Sequence, residues 1–368
     1  MLQSSNYNIY NVKLFFVIQV SVHMPQFIHS NSMLVVYTNK NPTIFNSAAK
    51  LVTNASRMCG VYGVLYDDYN ASQETYDMWK KDYPSIRIMK VAALRKTVCM
   101  DDKIHFSTFM ADATHAPMSY LTVGEIEADC ADNQLFFVKR RGSTAARGVH
   151  VCSYKKLKSG TIDTTSSIIH RDLTHPSLTN GRRYKLRVYV LVAGGHVHVH
   201  REAIVVTSVL DYERHAGTTP AEPHKDMHII CFGPGSRIFK FSALEHYDEI
   251  FDNICSAVAD FSVRFRDKIV EFDSDEFALL GFDFVVDDKN MAFVIEVNHR
   301  PNFFHPKEIN EQVNIRVMSD TYTVLMNGAP DCTGYVNVFR SGACQADAAT
   351  HCSSAAAAPC SASPPACA

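Results

Sequence analysis

Residues 281–298 read Gly-Phe-Asp-Phe-Val-Val-Asp-Asp-Lys-Asn-Met-Ala-Phe-Val-Ile-Glu-Val-Asn. Two apolar runs, residues 282–286 and 291–297, flank a polar turn at residues 287–290. Apolar runs of this length on either side of a short polar turn are typical of a β-hairpin. The stretch therefore predicts two antiparallel strands, and the polar side chains within them need a separate explanation.

Three of those polar side chains share one face of the predicted hairpin. Side chains alternate along a strand, so Glu296 and Asn298 point to the same side. If Val286 pairs with Met291, Asp283 lies on that side too, one diagonal step or roughly 7–8 Å from Glu296. The pattern thus brings two carboxylates and an amide oxygen onto one surface.

These oxygen atoms have two interpretations. Unpaired carboxylates are costly among Phe, Val and Ile side chains, and Mg²⁺ binds carboxylates together with substrate phosphates. Alternatively, both acids face water on a half-exposed sheet. The hairpin alone leaves both interpretations open.

Composition limits the class of protein. The chain of 368 residues is long enough for a large core or two lobes, and its net charge of −2 argues against nucleic acid as the main partner. No segment has the ~20 apolar residues of a membrane span, and the apolar run 14–22 reads as a buried strand rather than a signal peptide. The eleven cysteines contain no C-x-x-C pair, so we expect reduced thiols and a cytoplasmic location without membrane attachment.

We expect four segments along the chain. Residues 1–85 form an N-terminal α/β lobe, residues 86–134 a central lobe and residues 135–332 a C-terminal lobe. Residues 341–368 are rich in Ala, Ser, Cys and Pro and predict a low-complexity, disordered tail. Within the C-terminal lobe, two β-branched runs around residues 193–195 (Ala-Gly-Gly) predict a second hairpin.

Basic residues form two candidate anion sites. Residues 136–148 read Phe-Phe-Val-Lys-Arg-Arg-Gly-Ser-Thr-Ala-Ala-Arg-Gly, a strand that runs into a loop. Backbone amides together with Lys139 and Arg147 can bind a triphosphate, although an ordinary basic turn has the same composition. In the second hairpin, Arg187 and Arg201 lie on neighbouring strands, and they suggest either an anion site or a structural salt bridge.

Three histidines alternate along one strand, at His196, His198 and His200. Three imidazoles on one strand face can hold a metal ion. No carboxylate completes the set at a convincing spacing, so an exposed strand face is the favoured interpretation.

Taken in order, these motifs resemble the tubulin–tyrosine ligase family, over roughly residues 95–326. The hairpin is the most specific part, because Gly281-Phe-Asp-Phe and Ile295-Glu-Val-Asn-x-x-Pro look like the family's metal-binding strands. Arg182-Arg-Tyr-Lys-Leu-Arg looks like its Arg-Lys-Phe-Asp-Ile-Arg strand, and His200-Arg-Glu looks like its Tyr-Arg-Glu.

The resemblance implies a role for each matching residue. Asp283, Glu296 and Asn298 would be the Mg²⁺ ligands. Arg187 and Arg201 would be catalytic clamps for phosphate and for the acceptor carboxylate. The expected ATP contacts, which include the catalytic Lys139 and the hinge beside adenine, are Lys96, Lys139, Arg147, Arg171, Asp172, Leu173, Arg183 and Arg187.

Fold and activity are implied by the same resemblance. The fold would be α/β (α+β) of the ATP-grasp type, with ATP between two α/β lobes. The enzyme would be a monomeric, ATP-dependent ligase that needs Mg²⁺ and adds Glu or Tyr, as a free amino acid, to an acidic protein tail through an acylphosphate. Tubulin is the tail by analogy, with polyglutamylation as one form of the reaction and an association with microtubules.

Some positions depart from the family pattern, and other readings remain open. Lys185 stands where the family has an acid, the loop reads Arg147-Gly-Val-His-Val, and residues 224–228 read His-Lys-Asp-Met-His. One alternative is a small-molecule ATP-grasp ligase of the glutathione-synthetase type. Others are a tubulin-binding module without turnover, and a generic α/β protein with a surface carboxylate hairpin.

Overall fold

In the computed structural model the chain is a mixed α/β protein, as the sequence predicts. The structure describes residues 32–38, 40–54, 60–66, 72–143, 148–212, 225–328, 330 and 333–341. The apolar run 14–22, Arg147, His224 and the tail after Ser341 lie outside the described residues, so the expectations for them stay predictions.

The described strands comprise two β-sheets. They are β1 (Ser32–Thr38), β2 (Gly60–Tyr66), β3 (Arg87–Val91), β4 (Ser119–Tyr120), β5 (Leu135–Arg140), β6 (Val149–Ser153), β7 (Ser167–Arg171), β8 (Leu178–Thr179), β9 (Arg182–Ala193), β10 (His196–Thr207), β11 (Ile238–Lys240), β12 (Glu276–Val286), β13 (Ala292–Asn298) and β14 (Tyr335–Arg340).

The described helices cover or connect these sheets. They are α1 (Pro42–Asn54), α2 (Ser72–Asp82), α3 (Leu94–Asp101), α4 (Lys103–Phe109), α5 (Tyr154–Lys158), α6 (Lys225–His228), α7 (Tyr247–Arg264), α8 (Arg266–Ile269), α9 (Lys307–Ile309) and α10 (Ile315–Asn327). A π-helical turn at Asn310–Asn314 joins α9 to α10.

The larger sheet contains ten strands, with β1, β2, β3, β12, β9, β10 and β11 side by side. Strands β1, β2 and β3 are parallel to one another, and β3 is parallel to the start of β12. Strand β13 pairs with the other end of β12, β14 with β10 and β8 with β9. The smaller sheet has the order β4-β7-β5-β6. The predicted segment boundaries at residues 85, 134 and 332 stay predictions.

Apolar side chains are buried on both faces of the larger sheet. On one face Leu280, Phe282 and Phe284 of β12 pack in a cluster with α7. On the other face Phe277 and Leu279 pack in a cluster with α1 and α10. A strand buried on both sides reads as a continuous apolar run, which is why β12 carries no charged residue except Glu276 at its start and Asp283.

Both predicted hairpins are confirmed. Gly194 and Gly195 form the turn between β9 and β10, both with positive φ of 56° and 74°. Two consecutive residues with positive φ favour a Gly-Gly turn. The hairpin of β12 and β13 is the one predicted from residues 281–298.

The register of the hairpin formed by β12 and β13 differs from the prediction. Val286 pairs with Ala292 rather than Met291, so the turn is one residue longer than expected. A β-bulge at Ile295 then shifts the pairing again, so that Asp283 lies directly opposite Glu296. A one-residue shift moves a side chain to the other face of a strand, and the bulge moves Glu296 back to the face of Asp283.

The histidine strand face is buried, not exposed as predicted. The side chain of His198 is 4% exposed and that of His200 is 1% exposed. Strand β14 pairs with this part of β10, and the ring of its Tyr335 contacts both histidine rings edge-on. His200 Nε2 lies 3.0 Å from Asp320 of α10.

None of the helices in the described ranges combines the length and apolarity that a bilayer span requires.

We predict that Gly281→Ala lowers the free energy of unfolding by about 1–3 kcal/mol, because overpacking has costs of this size. A Cβ at Gly281 would lie 2.8 Å from Pro301 Cβ and 3.1 Å from Arg187 Cδ. Gly124→Ala is the control, since its nearest atom would be 3.9 Å away. Urea unfolding compares the two variants, and equal stabilities would show that Gly281 is not tightly enclosed.

We predict that His198 makes folding sensitive to acid. Burial, with a smaller effect of His196, lowers the pKa of His198 to about 4. The unfolded chain therefore binds this proton first, and stability is lost as the pH falls from about 6.5 to about 4, by up to about 3 kcal/mol. Urea unfolding of His198→Gln across this range should show a shallower decline than the wild type. His150→Gln, at an exposed histidine, should keep the wild-type slope.

Candidate functional site

The candidate site centres on three side chains in a row across adjacent strands. Asp283 of β12 pairs directly with Arg187 of β9 on one side and with Glu296 of β13 on the other. Directly opposed residues have their Cβ atoms about 4.5–5.5 Å apart on one face. The register of three strands therefore builds an Arg–Asp–Glu row without any loop.

Asp283 is fully buried and strongly ion-paired. Arg187 donates to both oxygens, from Nε at 2.5 Å and from Nη2 at 3.2 Å, and Lys185 Nζ donates to Oδ2 at 2.9 Å. Burial alone would raise the pKa of Asp283, but the charges of Arg187 and Lys185 hold that pKa well below its ordinary value. Asp283 is thus a permanent carboxylate, and the interpretation that it faces water is wrong.

Glu296 and Asn298 lie beside Asp283 on the same face of the hairpin. The Glu296 side chain is 27% exposed, and Lys103 Nζ at the start of α4 lies 4.0 Å from its carboxylate. The Asn298 amide donates to the Gly281 carbonyl at 3.2 Å, and its Oδ1 accepts no hydrogen bond from the described part of the chain. Both side chains keep oxygen atoms for a ligand.

Lys139 connects the smaller sheet to this row. It is the second-last residue of β5 and is 8% exposed, and its Nζ lies 3.4 Å from the carbonyl oxygen of Ile295, the bulge residue. Burial lowers the pKa of Lys139 to about 8, while Glu296 opposes the shift. At neutral pH the ammonium form still dominates, so Lys139 adds a positive charge where the two sheets meet.

Arg183 and Asp172 form a second, buried ion pair in this region. Arg183 Nη1 and Nη2 donate to the two Asp172 oxygens at 2.7 and 2.6 Å. The guanidinium also lies over the rings of Phe137 and Tyr212, and His228 Nδ1 is 3.1 Å from Nη1. Strand β9 therefore carries Arg183, Lys185 and Arg187 on one face, each with an acidic partner.

Not every predicted site residue comes to this location. Arg201 lies over the Phe251 ring of α7, on the opposite face of the larger sheet from Arg187, so the predicted pair of arginines does not form. Lys96 binds Glu276 at 2.5 Å and Asp273 at 3.1 Å. Glu276 is seven residues from Asp283 along β12, or about 23 Å at the rise of a strand.

Of the remaining hinge residues, Arg171 ends strand β7 of the smaller sheet and Leu173 follows that strand. Arg171 Nη1 is 3.9 Å from the Glu127 carboxylate, and Leu173 is half-buried. His170, the residue before Arg171 on β7, is buried, and its Nε2 lies 3.0 Å from Ser107 Oγ. Burial and the nearby Lys139 hold the pKa of His170 well below its ordinary value, so this ring is neutral.

Two residues of the site were not predicted from the sequence. Lys103 reaches Glu296 from α4, and its Nζ also donates to the Ser143 carbonyl at 2.8 Å. His305 lies close enough to Arg187 and Asp283 for their charges to affect its pKa, which burial lowers to about 4. Asn314 of the π-helical turn holds the His305 ring at 2.9 Å. A π-helical turn often marks a functional site, but no pattern in the sequence predicts a π-helical turn.

The predicted magnesium ligands are only partly suited to that role. Carboxylate and amide oxygens have the right chemistry, and the hairpin brings all three residues together. Both Asp283 oxygens, however, already accept hydrogen bonds from Lys185 and Arg187. The residues therefore do not fit a three-ligand Mg²⁺ site centred on Asp283.

We predict that breaking the Arg183–Asp172 pair is costly. Arg183→Met leaves a buried carboxylate without its partner, and such losses amount to about 3–5 kcal/mol. Asp172→Asn leaves the guanidinium unpaired and should have a similar cost, while the double variant should lose less than the sum of the two. Chemical unfolding of the three variants forms a double-mutant cycle. Strict additivity would mean that the two side chains stabilise the fold independently.

Comparison with known proteins supports the resemblance seen in the motifs. The sequence model of the tubulin–tyrosine ligase family matches residues 69–232 and 237–332. A probable tubulin–tyrosine ligase of Schizosaccharomyces pombe is 23% identical over an alignment of 208 residues that covers 53% of this chain and 50% of that protein. The chain thus spans about half the length of that relative. The matched residues include the Arg183–Asp172 pair, the Arg187–Asp283–Glu296 row and Lys139. Because the match extends over more than half of the chain, the protein belongs to the tubulin–tyrosine ligase family.

Proposed function

We propose that this protein is an ATP-dependent carboxylate–amine ligase that adds an amino acid, Glu or Tyr, to an acidic protein tail. Tubulin is the proposed acceptor, by analogy with the family. The fold that holds ATP would be of the ATP-grasp type, with nucleotide between the smaller sheet and the hairpin of β12 and β13.

The excess of positive charge at the sheet junction is the observation that carries this proposal. Among the residues that the structure describes, the charged groups at the junction are the cations Lys103, Lys139, Lys185 and Arg187 and the carboxylates Asp283 and Glu296. Four cations against two anions leave two positive charges in a largely buried place. A buried excess of charge is costly unless a counter-ion binds, and a polyphosphate is a suitable counter-ion.

Each side chain has a proposed role in binding and orientation. Lys139 and Lys103 reach the junction from the smaller sheet and from α4, and they would hold phosphate oxygens from one side. Arg187 is fixed by Asp283 and would present its remaining N–H groups from the other side. Residues 169–173 would lie beside the adenine, as the family resemblance implies.

The proposed chemistry proceeds in two steps. An oxygen of the acceptor carboxylate attacks the γ-phosphorus of ATP, the bond to the β-phosphate oxygen breaks, and ADP leaves. The amine of the amino acid then attacks the acyl carbon of the acylphosphate, inorganic phosphate leaves, and the amine loses a proton. In both steps negative charge moves among phosphate oxygens, and fixed cations stabilise such charge without reorganisation.

We predict that Lys139→Met weakens ATP binding by about ten- to a hundredfold, because a hydrogen bond to a charged group is worth about 1.5–3 kcal/mol. Isothermal titration calorimetry with ATP in the presence of Mg²⁺ provides the measurement. Lys158→Met is the matched control, since Lys158 pairs with Asp132 on the surface of the smaller sheet at 2.7 Å. Equal affinities in Lys139→Met and the wild type would remove Lys139 from the nucleotide site.

Turnover separates the proposal from its alternatives. Wild-type protein is incubated with ATP, labelled Glu or Tyr, and either tubulin or small acceptor peptides. Label on tubulin with release of ADP supports the ligase, and label on free peptides alone would indicate a small-molecule ligase. Binding of tubulin without ATP consumption would indicate a module without turnover. Absence of ATP binding in every condition contradicts the proposed function.

A further inference from the structure

Lys185 occupies one side of the buried carboxylate at the centre of the site. Its Nζ lies 2.9 Å from Asp283 Oδ2, and its side chain is 19% exposed. It extends from the interior of β9, two residues from Arg187, so the sheet fixes its position. The contact is a charge-assisted hydrogen bond between an ammonium and a carboxylate, which is stronger than a hydrogen bond between neutral groups.

Lys185 and Arg187 together already supply the positive charge that the Asp283 carboxylate needs, so an added cation is not required there. A divalent ion on this carboxylate would need an oxygen that now accepts from one of the two cations. It would also lie within contact distance of both positive charges, in a region where burial weakens dielectric screening. The buried carboxylate therefore has its counter-charge from the protein itself.

The Lys185 ammonium has N–H groups that Asp283 does not use. An ammonium has three N–H groups, and Asp283 takes one of them. Lys103 and Lys139 lie nearby: burial first, and then the charges of Lys103 and Lys185, lower the pKa of Lys139, so the three ammonium groups are close enough to affect one another. An anion that enters the junction would meet Lys185 as a cation that is already in place and already desolvated.

We propose that Lys185 acts as a resident cation on Asp283, so that the site binds a nucleoside polyphosphate with little dependence on a divalent metal ion. This inference rests on the proposed function, because the ligand is the nucleotide of the ligase. In chemical terms, the ammonium supplies at Asp283 the positive charge that a carboxylate-bound Mg²⁺ would otherwise supply. Lys185 is thereby a specificity-determining residue for the metal requirement of nucleotide binding.

The test measures ATP affinity in the full chain with Mg²⁺ and with EDTA in place of Mg²⁺. For the wild type we expect the two dissociation constants to agree within about tenfold, equivalent to about 1.4 kcal/mol. Lys185→Met should bind ATP at least about tenfold more weakly in EDTA than the wild type does, and Mg²⁺ should restore most of that loss. Lys185→Arg should behave as the wild type, because it keeps the charge. Lys158→Met is the surface control.

A second measurement does not use the nucleotide. Mn²⁺ binding to the nucleotide-free protein is followed by electron paramagnetic resonance, which distinguishes bound from free ion. We expect no binding to the wild type at Asp283 and a new site in Lys185→Met that Asp283→Asn removes. If Lys185→Met does not fold, the wild-type measurements with Mg²⁺, EDTA and Mn²⁺ decide the question alone.

The outcomes for the two proposals differ. ATP binding by the wild type that requires Mg²⁺ by more than about a hundredfold, or Mn²⁺ bound at Asp283 beside Lys185, overturns the inference and leaves the ligase intact. ATP binding in neither condition overturns the proposed function. Equal metal dependence in the wild type and Lys185→Met also contradicts a special role for Lys185.

Discussion

A negative charge buried at Asp283 imposes the main constraint on this structure. An ionised carboxylate inside a sheet is tolerated only with close positive partners, and β9 supplies two of them through Arg187 and Lys185. The partners in turn fix the pairing of β9 with β12. The Arg187 side chain passes close to Gly281, where a Cβ would crowd it. The ion pair therefore also restricts which residue the backbone can carry at position 281.

The bulge at Ile295 completes the arrangement around this charge. The side chains of Ala292, Val294 and Val297 enter the same apolar cluster, with a spacing of three residues instead of two across the bulge. Glu296 can therefore face Asp283 while its neighbours stay in the core. The bulge also frees the Ile295 carbonyl for Lys139, and one irregular residue thereby joins the two sheets. Bulges next to functional sites commonly redirect side chains in this way.

The sequence predicted the elements of the fold better than their relations. Both hairpins followed from local patterns, because apolar runs and Gly-Gly turns are short-range signals. The extra residue in the turn and the bulge were not predicted, since a four-residue turn and a five-residue turn have similar sequences. Arg201 was paired with Arg187 from strand adjacency alone, whereas alternation along β10 puts Arg201 on the face of Val199 and Ala203, where it lies over Phe251. Lys103 and His305 reach the site from distant segments, and no local pattern indicates such contacts.

The bulge makes β13 a place where chain length matters more than residue type. Many apolar residues could replace Ile295, because its carbonyl rather than its side chain holds Lys139. Removal of a single residue between Ala292 and Ile295 would instead remove the bulge, leave Glu296 opposite Asp283 in a regular ladder, and delete the irregular backbone whose carbonyl holds Lys139. When relatives of this protein are compared, a gap in this strand therefore carries more information about the site than a substitution does.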